Sequence, residues 1–122
     1  MDKTVELLLA TTLNNPPEKE YKIKRLSKES GGDIIFRLRA LAFSHVAEVR
    51  AADSSEQSIR IILAGTVSPD LKSAELLSHY GAMTPADLLK KMLLPGEIDD
   101  LALRIERLSG YKATVVEEIK KK

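Results

Sequence analysis

Apolar and polar residues alternate along two short stretches of the chain, which predicts a β-hairpin. Residues 21–26 and 33–39 both show this alternation, which places successive side chains on opposite faces of a strand. Gly31 and Gly32 stand between the two stretches and supply the positive φ angles that a turn requires. Because a two-stranded hairpin is only marginally stable alone, its apolar face is expected to rest on helices. That face consists of alternate residues of the second strand: Ile34, Phe36 and Leu38.

Elsewhere apolar residues recur every three or four positions, which predicts short amphipathic helices. Four such helices are expected near residues 3–13, 44–52, 55–66 and 73–80. The third carries apolar residues on two sides and is expected to be central and buried. Two more helices follow, one from residue 85 and one from about residue 97, and they are separated by Pro95 and Gly96.

Capping residues mark the boundaries of these helices. Ser44 and Thr84 are expected to be N-caps, because a side-chain oxygen at that position accepts a hydrogen bond from the first helical turn. Pro85 suits the first helical position, and Asp87 can return a hydrogen bond while interacting favourably with the helix dipole. Gly81 is expected to close the preceding helix in the left-handed conformation.

A chain of 122 residues is long enough for one domain with a core of its own. We therefore predict a single, mainly helical α+β domain, with one N-terminal antiparallel β-hairpin packed on about five short helices. Residues 1–17 are expected to form the N-terminal helix and a linker, 18–40 the hairpin, 44–111 the helical core and 112–122 a mobile tail. Within that tail, residues 113–122 are expected to form a frayed helix.

Composition narrows the classes of protein that fit. Nineteen Lys and Arg residues against 18 Asp and Glu residues leave a net charge of +1, whereas a general nucleic-acid binder usually carries a basic excess. The chain has no cysteine, which excludes disulfides, thiolate metal sites and thiol catalysis. No apolar run approaches the roughly 20 residues that a membrane-spanning helix needs, and the first residues do not resemble a secretory signal. The sequence therefore predicts a cytoplasmic protein with neither a membrane nor a nucleic acid as its partner.

Residue types that carry out catalysis or bind metals are few and scattered. His45 and His79 lie in different predicted helices, without the spacing of a metal site. Glu97, Asp99 and Asp100 stand together, but acids at a helix start are explained by the positive end of the helix dipole, and the spacing of a calcium-binding loop is absent. We expect no catalytic residue, no metal site and no cofactor.

Basic residues are concentrated near the predicted hairpin and leave two interpretations open. They could contact nucleic acid or an acidic partner, or they could protect exposed strand edges from pairing with other sheets. Edge protection is favoured, because charged edge strands are a common means of preventing aggregation. The residues concerned are Lys22, Lys24, Arg25, Lys28, Arg37 and Arg39.

Three apolar features exceed what a small core requires: the first helix, the residues just before Pro95, and the tail. Either they pack within the monomer, or they dock onto an apolar helix of another protein. The pattern leaves both interpretations open. The candidate partner-binding residues are Leu8, Leu9, Met92, Leu93, Leu94, Val115, Val116 and Ile119.

The order of short motifs in residues 66–111 resembles the core of one protein family, the XkdN-like tail assembly chaperones of tailed bacteriophages. The most specific part is the segment MLLPGE at residues 92–97, which precedes a last helix with a Gly-aromatic step at its end. The opening of the chain is also similar, with a short helix, a basic strand and then FRLRA at residues 36–40. The other motifs that carry the likeness are Pro69-Asp70-Leu71, Leu76, Tyr80-Gly81, Pro85 and Leu88-Leu89.

The resemblance implies a non-enzymatic assembly factor that coats the tape measure protein and keeps it soluble until tail tube subunits replace it. Such chaperones are absent from the mature virion. The tail tube protein, a longer form of the chain made by a programmed frameshift, and further copies of the chain are therefore additional candidate partners. Lys120, Lys121 and Lys122 permit an A-rich codon run at which a frameshift could occur.

Two rival functions belong to other classes. A structural tail completion or connector protein would remain in the mature particle. A small regulatory module would bind nucleic acid through the basic residues near the hairpin. An enzyme is the function that the sequence supports least.

Overall fold

The computed structural model describes residues 2–11, 16–111 and 115–119 of the chain. Within these ranges the chain forms seven helices and a three-stranded antiparallel sheet, which confirms the α+β class but corrects the expected counts of five helices and two strands. The elements are α1 (Lys3–Leu8), β1 (Glu18–Lys22), α2 (Lys24–Ser30), β2 (Ile35–Arg39), α3 (Phe43–Ala51), α4 (Ser54–Gly65), β3 (Thr66–Ser68), α5 (Ala74–Tyr80), α6 (Pro85–Met92) and α7 (Pro95–Leu108).

The first two strands pair as predicted, but they are not joined by a simple turn. β1 runs antiparallel to β2, from Glu18 opposite Arg39 to Lys22 opposite Ile35. Residues 24–30, which were expected to continue the strand and form a loop, are helix α2 instead. Gly31 has the expected positive φ, 81°, but uses it to end this helix.

A third strand makes β2 the central strand of the sheet. β3 pairs antiparallel with β2, with Thr66 opposite Leu38 and Ser68 opposite Arg37, and the register shifts between these two pairs. Three residues are too few to show alternation, so this strand was missed. It follows α4 directly, and the sheet edge and the central helix are therefore joined without a loop.

The inner face of β2 is the one predicted from alternation. Phe36 and Leu38 are fully buried, Ile34 packs against the core from the preceding loop, and Ile35 faces outward. Beneath the sheet, α7 packs against both β2 and α4. α4 buries three isoleucines and α7 buries its own apolar stripe, so the prediction that α4 is central is confirmed. These residues are Ile59, Ile61 and Ile62 of α4, and Leu101, Ala102 and Ile105 of α7.

The predicted end of α5 and the predicted start of α6 are confirmed by their capping geometry. The Thr84 hydroxyl accepts a hydrogen bond from the Asp87 N–H at 3.0 Å, and the Asp87 carboxylate accepts one from the Met83 N–H at 3.2 Å. Gly81 ends α5 with a φ of 65°. Ser44 is not a cap, because α3 begins one residue earlier, at Phe43.

The two ends of the chain differ from the predicted helices. α1 ends at Leu8 rather than near residue 13, and residues 12–15 lie outside the described residues. α7 begins at Pro95 rather than near residue 97. Residues 115–119 form neither helix nor strand, and the rest of the predicted frayed helix, residues 113–114 and 120–122, lies outside the described part of the chain.

Candidate partner-binding surface

The structure divides the eight candidate partner-binding residues into a buried pair and an exposed group. Met92 and Leu93 are 8% and 5% exposed and belong to the hydrophobic core, so for this pair packing within the monomer is the correct interpretation. The other candidates project from the surface, and their role in partner binding stays a prediction. They are Leu8, Leu9, Leu94, Val115, Val116 and Ile119.

Leu93 and Leu94 differ because the chain is extended where α6 ends and α7 begins. Both residues have β-type backbone angles, and successive side chains of an extended chain point to opposite sides. Leu93 therefore enters the core, whereas Leu94 is 53% exposed. The sequence could not separate these neighbours, because a run of three apolar residues before a proline carries no signal of which side faces inward.

Glu97, in the most specific motif of the resemblance, fastens this junction to the rest of the fold. Its carboxylate accepts a hydrogen bond from the Leu94 N–H at 2.7 Å and forms an ion pair with the Arg25 guanidinium at 2.9 Å. The same guanidinium donates to the Met92 carbonyl oxygen at 2.9 Å. Arg25 of α2 thus holds the end of α6 and the start of α7 together, which gives the motif a structural reason.

The hydrogen bond from Arg25 lowers the pKa of Glu97, and the Leu94 N–H lowers it further, while partial burial of the carboxyl acts in the opposite direction. A carboxyl whose pKa is lower in the folded state stabilises the fold above the pKa of the unfolded chain. That stabilisation is lost as the pH falls through the folded-state pKa. The α6–α7 junction is therefore expected to weaken in acid.

An apolar groove of about 520 Å³ lies where β2 leaves the sheet and α7 ends. We call it the terminal groove, because it is lined by residues 16–17, at the end of the N-terminal linker, and by residues 108–110, just before the C-terminal tail. Phe43, at its side, is 92% exposed. The groove is also lined by Arg39 and His45. Its apolar lining residues are Pro16, Pro17, Ala40, Leu41, Ala42, Phe43 and Leu108.

Backbone and side-chain hydrogen bonds bring these distant segments together. The Ala40 N–H donates to the Pro17 carbonyl oxygen at 2.9 Å. The Leu41 N–H donates to the Ser109 hydroxyl oxygen at 2.8 Å, and that hydroxyl donates to the Ile105 carbonyl oxygen at 2.7 Å. Sequence reasoning missed the groove, because its walls come from three separate parts of the chain and no local pattern marks Phe43 as exposed.

The basic residues near the hairpin do not form a continuous positive surface. Lys24, Arg25 and Lys28 lie on α2 rather than on a strand. On the outer face of the sheet, Glu18 stands opposite Arg39 and Glu20 opposite Arg37, the latter pair with charged atoms 3.9 Å apart. Lys22 similarly pairs with Asp33 at 3.8 Å. Edge protection therefore applies at most to Lys22 of the edge strand β1, because Arg37 and Arg39 lie on the central strand β2. The alternation of sign also lacks the single-signed patch that nucleic-acid binding ordinarily uses.

The residues considered for catalysis or metal binding are dispersed. His45 is in α3 and His79 is in α5, where its ring contacts Tyr80 edge to face. Within residues 2–11, 16–111 and 115–119, no group of three or more His, Cys, Asp or Glu side chains could hold a metal ion. None of the helices described is both long enough and apolar enough to cross a membrane.

Fold and groove together define a small α+β protein with an apolar surface feature at one end of its sheet. A family model for phage XkdN-like tail assembly chaperone proteins matches residues 46–121. The chain belongs to this family, and the resemblance read from the motifs is confirmed. The match covers α3 from Val46 onward and the whole of α4, α5, α6 and α7.

A solved structure also resembles the fold. It is the crystal structure of the protein YqbN, which is 22% identical, with a TM-score of 0.62, and the alignment covers 84% of this chain and 97% of that chain. At this identity the likeness concerns the fold alone. No curated protein matches the chain.

Proposed function

We propose that this protein is a chaperone that binds the tape measure protein and keeps it soluble during assembly of the phage tail. Membership of the XkdN-like tail assembly chaperone family carries the proposal. The terminal groove supports it, because an exposed phenylalanine beside an apolar groove suits the apolar face of an amphipathic helix. The role is non-enzymatic and is exercised in the cytoplasm of the bacterial host.

The size of the groove suits binding that must later be reversed. A groove of about 520 Å³ accepts only a few side chains, so each contact with the client is weak. Many copies of the chaperone along one long client then supply the overall affinity through repeated contacts. Tail tube subunits can replace such a coat one contact at a time.

Three exposed leucines lie at the end of α1 and directly after it. Leu7, Leu8 and Leu9 are all more than half exposed. Five peptide units join Thr11 to Pro16, which lines the groove, so these two residues are at most about 18 Å apart. We propose that Leu8 and Leu9 contact the client together with the groove, and that Leu94 contacts it separately.

Co-expression with a fragment of the tape measure protein tests the proposal. We expect the wild-type protein to keep the fragment soluble, and Phe43→Ser to reduce the soluble fraction severalfold. Met83→Ser is the matched control, because Met83 is similarly exposed, at 88%, but does not line the groove. Thermal unfolding of the three proteins confirms that they are folded. If the fragment precipitates equally with and without the wild-type protein, the proposed function is wrong.

Absence from the mature virion distinguishes the chaperone from its main rival, a structural tail completion or connector protein. Mass spectrometry of purified particles is expected to find the tape measure protein but not this chain, and a stoichiometric amount of the chain would favour the rival. We further propose the tail tube protein, other copies of the chain and a longer frameshifted form as partners. A codon run without an A-rich or G-rich slippery sequence at Lys120–122 would remove the argument for the longer form.

A further inference from the structure

We propose that the terminal groove binds the chain's own C-terminal segment, residues 115–119, so that this segment covers the surface offered to the client. The inference starts from an apolar groove that carries an exposed arginine without a partner among the described residues, and from a nearby segment of matching chemistry. Its consequence for client binding rests on the proposed function, but the intramolecular contact itself does not.

The positive charge of Arg39 indicates that a ligand of the groove should carry a negative charge. Arg39 lines the groove, and within the described parts of the chain its guanidinium takes part in no hydrogen bond or ion pair. Glu18 stands opposite it across the sheet without forming an ion pair there. No acidic side chain is among the described residues that line the groove. An apolar segment that carries a carboxylate could therefore fill the apolar groove and form an ion pair with the guanidinium.

Residues 115–119, with the sequence VVEEI, have this composition. Val115, Val116 and Ile119 are 67%, 83% and 80% exposed, and Glu117 lies between them. Since this segment is neither helix nor strand, it is free to dock in an extended form. Alternate side chains of an extended segment share one side. Val115 and Ile119 would then enter the groove with the Glu117 carboxylate between them, directed at Arg39.

Chain connectivity places the segment within reach of the groove. Gly110 lines the groove and has a φ of 92°, which turns the chain at the end of α7. The four peptide units from Tyr111 to Val115 span at most about 14 Å. A tether this short gives an effective concentration in the millimolar range. Even a contact of low intrinsic affinity would therefore be populated within one molecule.

Such a contact would set a threshold for client binding. A client helix must displace the segment, so its apparent affinity is reduced in proportion to the fraction of molecules with an open groove. The isolated chaperone would also hide its exposed apolar groove from other copies until a client is present. The proposed closed arrangement differs from the structure, in which residues 115–119 are exposed and do not line the groove.

Tryptophan fluorescence of the full-length protein tests the contact without any client. The chain has no tryptophan, so Phe43→Trp introduces a single reporter beside the groove. Combining it with Val115→Ser, Val116→Ser and Ile119→Ser is expected to raise the acrylamide quenching constant about twofold and to shift the emission to longer wavelength. Met83→Ser in the same background is the control and should change neither. Equal quenching with the native and the serine-substituted segment would overturn the proposal.

Two further measurements identify the occupant and the ion pair. Quenching that is unchanged over a hundredfold dilution supports a contact within one molecule, whereas quenching that rises on dilution would show a second copy as occupant and refute it. Arg39→Ala and Glu117→Ala are each expected to raise quenching, and together to raise it no further than either alone. Fully additive effects would refute the assigned ion pair. Since the client is absent from these assays, failure here leaves the proposed chaperone function untouched.

Discussion

Replacing Gly65 by alanine is expected to destabilise the protein, although a glycine-to-alanine change within a helix ordinarily stabilises it. Gly65 is the buried last residue of α4, at the point where this helix approaches α7. A Cβ atom added there would lie 2.6 Å from Cγ2 and 2.8 Å from Cδ1 of Ile105. Carbon atoms that are not bonded normally approach to about 3.5–4.0 Å, so both contacts are too close by roughly 1 Å.

The magnitude follows from how little Ile105 can move. Its side chain is fully buried, and a β-branched residue in a helix has one strongly preferred rotamer. Overpacking a dense core costs about 1–3 kcal/mol, while the higher helix propensity of alanine returns at most about 1 kcal/mol. We expect a net loss of about 1–2 kcal/mol in the free energy of unfolding. In a domain of this size that corresponds to a fall of roughly 3–10 °C in Tm.

Urea and thermal denaturation followed by circular dichroism measure this loss. Gly96→Ala is the matched control, because Gly96 also lies in a helix but a Cβ there would have no neighbour within 4 Å. That variant is expected to be unchanged or up to about 1 kcal/mol more stable. If Gly65→Ala proves as stable as Gly96→Ala, the close approach of α4 to α7 and the reasoning built on it are wrong.

Three further predictions concern the α6–α7 region. Glu97→Gln is expected to lower the free energy of unfolding at neutral pH. It should also reduce the further loss of stability that the wild-type protein shows as the pH falls below about 4.3, the ordinary pKa of glutamate. Urea denaturation at a series of pH values measures this, and an acid profile like that of the wild type would refute it. Leu93→Ala is expected to cost about 2–5 kcal/mol, whereas Leu94→Ala, at an exposed position, should change stability by no more than about 0.5 kcal/mol. Equal effects of these two substitutions on the free energy of unfolding would contradict the assigned burial. Thr84→Ala is expected to cost about 1 kcal/mol by removing the N-cap of α6, and a wild-type denaturation midpoint would show that this hydrogen bond contributes nothing.

Features that depend on neighbouring residues were predictable. The alternation in β2 identified Phe36 and Leu38 as inward-facing, because the pleat of a strand fixes the direction of each side chain. The start of α6 at Pro85 and the end of α5 at Gly81 followed from capping chemistry, which acts over three or four residues. The family motifs lie in this same region, which explains why the resemblance could be recognised.

Short or polar elements could not be found in this way. α2 is seven residues long and buries none of them, so its periodicity is too weak to recognise. β3 has three residues and exists because the pairing partner β2 is available. In both cases the element is stabilised by contacts with distant parts of the chain rather than by its own pattern.

The amino-acid sequence by itself determined the α+β class, the central place of α4 and the family, because each of these depends on local periodicity or on a contiguous motif. Tertiary structure alone decided which apolar side chains remained available at the surface. It buried Met92 and Leu93, left Phe43 exposed, and assembled the terminal groove from segments distant in sequence. The physical reason is that burial depends on which surfaces the folded chain brings together. The hydrophobicity of a residue does not by itself determine whether another surface covers it.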